Sequence, residues 1–292
     1  MDLRDRTQAI QGSVLTLATN RETRPTLSFR ARIAVLAAVA GALLVVLLLV
    51  PPFAQPDSYH QFADARGWLE IPRFGDVMSN VPIGIAGLLG LWLMATPRAR
   101  GVFAGAWIKA PLRVHFLGVV WIAFGSAYYH WEPSTERLYW DRLPMAVGFM
   151  ALVAVFATDR IDARRGALFV LPILVIFGAA CTTMWLMSER AGAGDLGIYF
   201  LVQAVIFIYI PLIAVLFAGR FTDGRALVWV GIWYGAAILC EQLDHQIFAW
   251  TGEFVSGHSL KHIFAGAAVG AIVLMIRRAI NQAALAQPAD SA

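Results

Sequence analysis

The sequence predicts an all-α protein of the membrane: eight apolar helices, seven forming a core and one added ahead of it. Two observations lead there. Of the 292 residues, 59% are hydrophobic and only 14% are charged, a balance that no soluble core requires. The apolar residues also fall into eight separate stretches, each long enough or nearly long enough to cross ~30 Å of hydrocarbon as a helix.

In order, the stretches are 33–50, 77–95, 114–129, 143–158, 167–187, 196–217, 226–243 and 260–276. The first follows basic residues, as a secretory signal would. It exceeds the usual signal core of about 7 to 15 residues and has no small-x-small cleavage site after it, so it is read as a retained helix. The third, fourth and seventh stretches are short, which puts their ends in flanking polar residues. The chain then divides into a flexible N-terminus (1–30), the extra helix (31–54), the core (55–278) and a tail rich in Ala and Gln (279–292).

Basic residues in short loops stay cytoplasmic, and their alternation orients the bundle. One side holds Arg4, Arg6, Arg21, Arg24, Arg30 and Arg32, then Arg98, Arg100, Lys109 and Arg113, then Arg160, Arg164 and Arg165, then Arg220 and Arg225, and last Arg277 and Arg278. That is 17 of the 23 basic residues, which predicts that both termini are cytoplasmic. The net charge of +4 is accounted for by arginines facing anionic headgroups. No basic-aromatic pattern suits nucleic acid, and no Gly-rich phosphate loop opens a helix. Cys181 and Cys240 both fall inside predicted spans and read as packing residues, with no disulfide.

Against this background a few polar residues stand out. His258 and His262 are four residues apart at the start of the last apolar stretch, so they share one helix face. His130 ends the third stretch, Ser126 precedes it by one turn, and Asp141 opens the fourth. The charge alternation puts all these ends on the non-cytoplasmic side, at one depth. Three imidazoles with an acid are the donor set of a catalytic zinc, with a fourth position left for water. The plainer readings are interfacial histidines and, for Asp141, a helix N-cap. Asp76, Ser79 and Asn80 divide between capping and a share in the site. Glu241, Asp244 and His245 read as groups that orient a ligand histidine, His60 is an outside candidate ligand, and His115 is unrelated.

These residues resemble the motifs of the alkaline ceramidases, in the superfamily that also holds the adiponectin receptors and the Per1-like GPI-remodelling proteins. The matching pieces are Ser79-Asn80, Gly125-Ser126 to His130, Asp141-Arg142-Leu143-Pro144-Met145, and His258 with His262, over roughly 59–276. The resemblance implies a seven-helix core holding zinc on His130, His258 and His262, with Ser126 and Asp141 as catalytic groups around the water. Two departures stand beside it. Arg142 occupies a position where eukaryotic members carry an acid, and 59–66 lacks the tryptophan and clustered acids of their calcium site.

The implied activity is hydrolysis of a lipid amide, ceramide-like, to a sphingoid base and a fatty acid, at a site facing the periplasm or lumen. Two other classes stay open: a non-enzymatic receptor or membrane-organising protein whose metal has a fourth protein ligand, His60 or His245, and a zinc hydrolase of a lipid ester. The expected partners are the bilayer and its lipids. Oligomeric state and metal identity are not legible, because imidazoles also suit other first-row ions.

Overall fold

The computed structural model describes residues 27–103, 105 and 107–286. The expected flexible N-terminus thus lies outside the described residues up to residue 26, and the end of the tail lies outside them from 287. Among the described residues all regular structure is helical, apart from one isolated bridge between Trp68 and Ile71. The chain divides into two units, Met1–Ala42 and Leu43–Ala292. The division falls inside the first helix rather than beside it.

That helix, α1 (Phe29–Leu49), has no buried side chain and is apolar around its circumference, as lipid contact requires. In the second unit α2 (Phe74–Met78) and α3 (Val81–Ala95) form one span with a break at Ser79-Asn80. Then follow α4 (Ala110–Trp131), α5 (Thr135–Arg160), α6 (Leu171–Arg190), α7 (Leu196–Leu216), α8 (Gly224–Gln242), α9 (Asp244–Trp250) and α10 (Gly257–Ala286). A π-helical turn, Gly166–Val170, leads into α6.

Among the described residues seven helices are long and apolar enough to cross a membrane, so the protein is an integral multi-pass membrane protein. The seventh expected span, 226–243, is the exception. It falls in α8, which qualifies only when paired with α9, the two being bent by 82°. Helix α4 starts at Ala110 and α5 at Thr135, so the short third and fourth stretches do extend into flanking polar residues. One end differs from the sequence reading: α10 continues to Ala286, into the segment read as a tail.

Helix α5 is central, buried along most of its length, and packs against α4, α6 and α7. Helix α3 links α4 to α10, and α10 carries α8. Although α7 and α8 are consecutive, they rest on different partners and face each other across a cavity of about 400 Å³.

One contact fixes how α4 meets α5. Pro144 has no N–H, so the Trp140 carbonyl four residues earlier loses its helical partner, and Gly125 packs against that carbonyl. A Cβ at residue 125 would collide with it. The Gly-Ser and Leu-Pro pairs are therefore two halves of one close approach, of the small-residue kind that holds helices together in lipid.

Candidate metal centre

Three buried imidazoles meet where the end of α4 adjoins the start of α10. His130 is 1% exposed, and His258 and His262 are each 3% exposed. The Nε2 atoms of His130 and His258 are 3.1 Å apart, and ligand atoms of all three rings lie within 4.8 Å of one another. Bonds of ~2.0–2.1 Å in a tetrahedron place ligand atoms about 3.3 Å apart, so the donor set fits a zinc-sized ion. These three are also the group of metal-binding side chains that the described residues bring together. Metal identity is not fixed by this geometry.

The surrounding bonds prepare the ligands. Ser79 Oγ donates to the Asp76 carbonyl at 3.1 Å and lies 2.8 Å from His262 Nδ1. With its own hydrogen used, the Ser79 oxygen accepts the Nδ1 hydrogen, and the Nε2 lone pair of His262 is left for a metal. Thus Ser79, the C-cap of α2 at its break with α3, is also a partner of the site.

Asp244 accepts the backbone N–H of His258 at 2.8 Å and that of Ala63 at 2.9 Å. The expectation that Asp244 orients a ligand histidine holds through the main chain. Gly257, just before His258, lies so close to the Cys240 carbonyl and the Asp244 backbone that a side chain there would displace them. Asp76 takes hydrogen bonds from Ser256 and Ser259, both at 2.9 Å, and so ties α2 to the start of α10. Asn80 donates to the Asp76 carbonyl at 2.9 Å.

Asp141 sits two turns inside α5, whose N-cap is Ser134, so its reading as a cap is corrected. It is 8% exposed and interacts electrostatically with Ser126. Ser126 Oγ lies 3.4 Å from His262 Nε2. The two expected catalytic side chains thus stand on the α4–α5 side of the histidines, with Ser126 the one that reaches them.

The outside ligand candidates are not brought in. Both ring nitrogens of His60 are taken, by Tyr129 Oη at 2.9 Å and Thr135 Oγ1 at 3.2 Å, and burial pushes its pKa below the usual histidine value. His245 is exposed and its Nε2 meets the Gln61 carbonyl at 3.3 Å. His115 lies on the N-terminal half of α4, away from the three histidines, bonded to the Gly148 carbonyl at 2.9 Å.

Sequence reasoning passed over Phe62, whose ring lies 4.6 Å from that of His130 and 4.4 Å from that of His258, covering the centre from the loop side. One phenylalanine in a polar loop carries no signal of that role. It also passed over the pair of Lys261 and Glu241, which Tyr59 joins through its hydroxyl at 3.3 Å. A lysine between two ligand histidines was the available clue.

Alanine at Ser79 is expected to weaken metal binding by about 10- to 100-fold, the usual effect of losing an outer partner of a ligand. Competition against a chelator of known affinity measures it. Unchanged affinity would remove Ser79 from the site.

The chain matches no protein-family model, no curated protein and no solved structure.

Proposed function

We propose that the protein is a zinc-dependent hydrolase of lipid amides, acting on ceramide-like substrates within the membrane. The observation that carries this reading is a buried three-histidine cluster with Ser126 against one of its rings and the buried carboxyl of Asp141 beside Ser126. Three ligands are the protein share of a catalytic zinc, whereas structural zinc usually has four.

Zinc held by His130, His258 and His262 would supply a polarised water near neutral pH and a Lewis acid for the carbonyl. Asp141 removes the proton of the attacking water and delivers it to the leaving nitrogen as the C–N bond breaks. Ser126 donates a hydrogen bond to the carbonyl oxygen as negative charge builds there. Phe62 keeps bulk water from the reacting atoms.

The cavity between α7 and α8 supports a lipid substrate. It is lined by apolar side chains such as Val119, Phe149, Ile210 and Ile272, and its charged members are Glu241 and Lys261. From Lys261 to Met275 its α10 wall extends about 21 Å at 1.5 Å of rise per residue. An acyl tail lies along such a wall while the head stays near the histidines. The motif resemblance to the alkaline ceramidases points the same way, and the arginine alternation turns the site to the non-cytoplasmic face.

The test is to purify the full chain, quantify bound metal, and measure fatty acid release from ceramides and from phospholipids. Amide cleavage that depends on the metal is expected. Metal-dependent cleavage of esters alone would transfer the reading to a lipid esterase, and bound metal with no turnover on either would make the centre structural.

A further inference from the structure

Arg142, the residue after Asp141, is 5% exposed. Three aromatic rings surround its guanidinium carbon: Trp185 at 4.3 Å, Tyr199 at 4.5 Å and Tyr59 at 5.4 Å. Rings offset part of the cost of a buried cation, but these offer no lone pair in the guanidinium plane to its five N–H bonds. Nη1 is buried without a partner, and no carboxylate among the described residues comes within 4.0 Å of the group. Arginine cannot shed its charge to relieve this.

Two partly buried cations are served differently. Arg160 donates to Thr222 Oγ1 and to the carbonyls of Ala214, Phe217 and Thr222, all between 2.7 and 3.1 Å. Lys261 is matched by Glu241. Arg142 alone of the three lacks acceptors, and it stands beside Asp141.

Its place in the fold connects it to the lipid cavity. Met145, Phe149, Leu152 and Phe156 line that cavity from α5, and Arg142 continues their helix face by one turn towards the metal end. Tyr199 continues the α7 wall of Ile206 and Ile210 in the same way. Tyr59 touches both Arg142 and Glu241, and Glu241 lines the cavity.

We propose that Arg142 receives an anionic group on the head of the lipid, so that the site selects N-acyl compounds bearing an acid close to the amide. The shared chemistry is a planar or tetrahedral oxyanion that a guanidinium grips with two parallel hydrogen bonds, a carboxylate or a phosphate. This deepens the amide-hydrolase reading by narrowing its substrates from ceramide-like lipids in general to those that carry an acid, and it uses that reading only to call the ligand a substrate.

Binding tests it without turnover. The full chain in phosphatidylcholine nanodiscs is titrated with N-palmitoylglycine, with N-palmitoylethanolamine, which has a hydroxymethyl in place of the carboxylate, and with N-palmitoyl phosphoethanolamine. Each titration is run as purified and after chelator treatment, so that a metal cannot stand in as the anion's partner. The better of the two acids is expected to bind at least about tenfold more tightly than the alcohol in both states. Which acid leads tells carboxylate from phosphate. Arg142→Gln should abolish the preference, and Arg142→Lys should keep part of it. Equal affinity of acids and alcohol in the wild-type protein overturns the proposal, whether or not either variant folds, as does a preference that survives Arg142→Gln. Failure to hydrolyse any of the three would count against the hydrolase reading and leave the binding result standing.

Discussion

Alanine at His258 is expected to leave the protein without its metal and to lower amide turnover by about a thousandfold or more. A Lewis acid that stabilises charge in the transition state contributes several kcal/mol, and each ~1.4 kcal/mol is a factor of ten in rate. The remaining pair, His130 and His262, sits on two helices and offers too few donors for a closed site. The fold should survive, because the His258 backbone is held by Asp244 independently of the imidazole. Elemental analysis and fatty acid release on the same sample give the answer. Metal retained at wild-type level would move the site elsewhere, and metal lost with activity intact would end the catalytic role of the cluster.

The substitution Asp141→Asn is expected to separate binding from chemistry. The amide has the same shape and cannot accept a proton, so kcat should fall by about 10²- to 10⁴-fold, the range that general acid–base groups contribute. Metal content and KM should change little, because Asp141 is not among the side chains that offer ligand atoms to the cluster. If the variant also emptied the site, the carboxylate would be part of the metal cage. If it left kcat unchanged, proton transfer would have to be assigned to another group.

Much of this was legible in the sequence. The apolar runs marked every long helix, since hydrocarbon forbids unpaired backbone and leaves a helix as the one open form. The four-residue spacing of His258 and His262, and the charge alternation that put His130 at the same depth, brought the three ligands together before any coordinates did. What hydropathy could not show was how helices begin. Residues 135–142 carry Arg137, Trp140, Asp141 and Arg142, a wet and aromatic stretch that reads as loop although it forms the first two turns of α5. That kept a helix cap open as the plainer reading of Asp141 beside its catalytic one. The tail failed in the opposite direction, because Ala, Gln and Leu after Ile280 are good helix formers whose polarity hid the continuation of α10. The bend between α8 and α9 was invisible for a similar reason, with polar Glu241 and Asp244 breaking an apolar run.

The surroundings of Arg142 lay out of reach altogether. Its three rings come from the 57–60 turn, α6 and α7, and no spacing within one segment announces a cage assembled from three. The same holds for Ser79, whose bond to His262 spans 183 residues of sequence.

The two bonds accepted by Asp244 couple things that would otherwise move separately. One of its oxygens fixes the main chain at His258, and the other fixes Ala63, next to the phenylalanine that roofs the centre. Lifting that roof breaks a bond to the very carboxylate that steadies His258, so movement of the loop is tied to the position of that main chain. The cavity between α7 and α8 involves neither bond. Under the proposed function, a lipid tail lodged there would leave both in place.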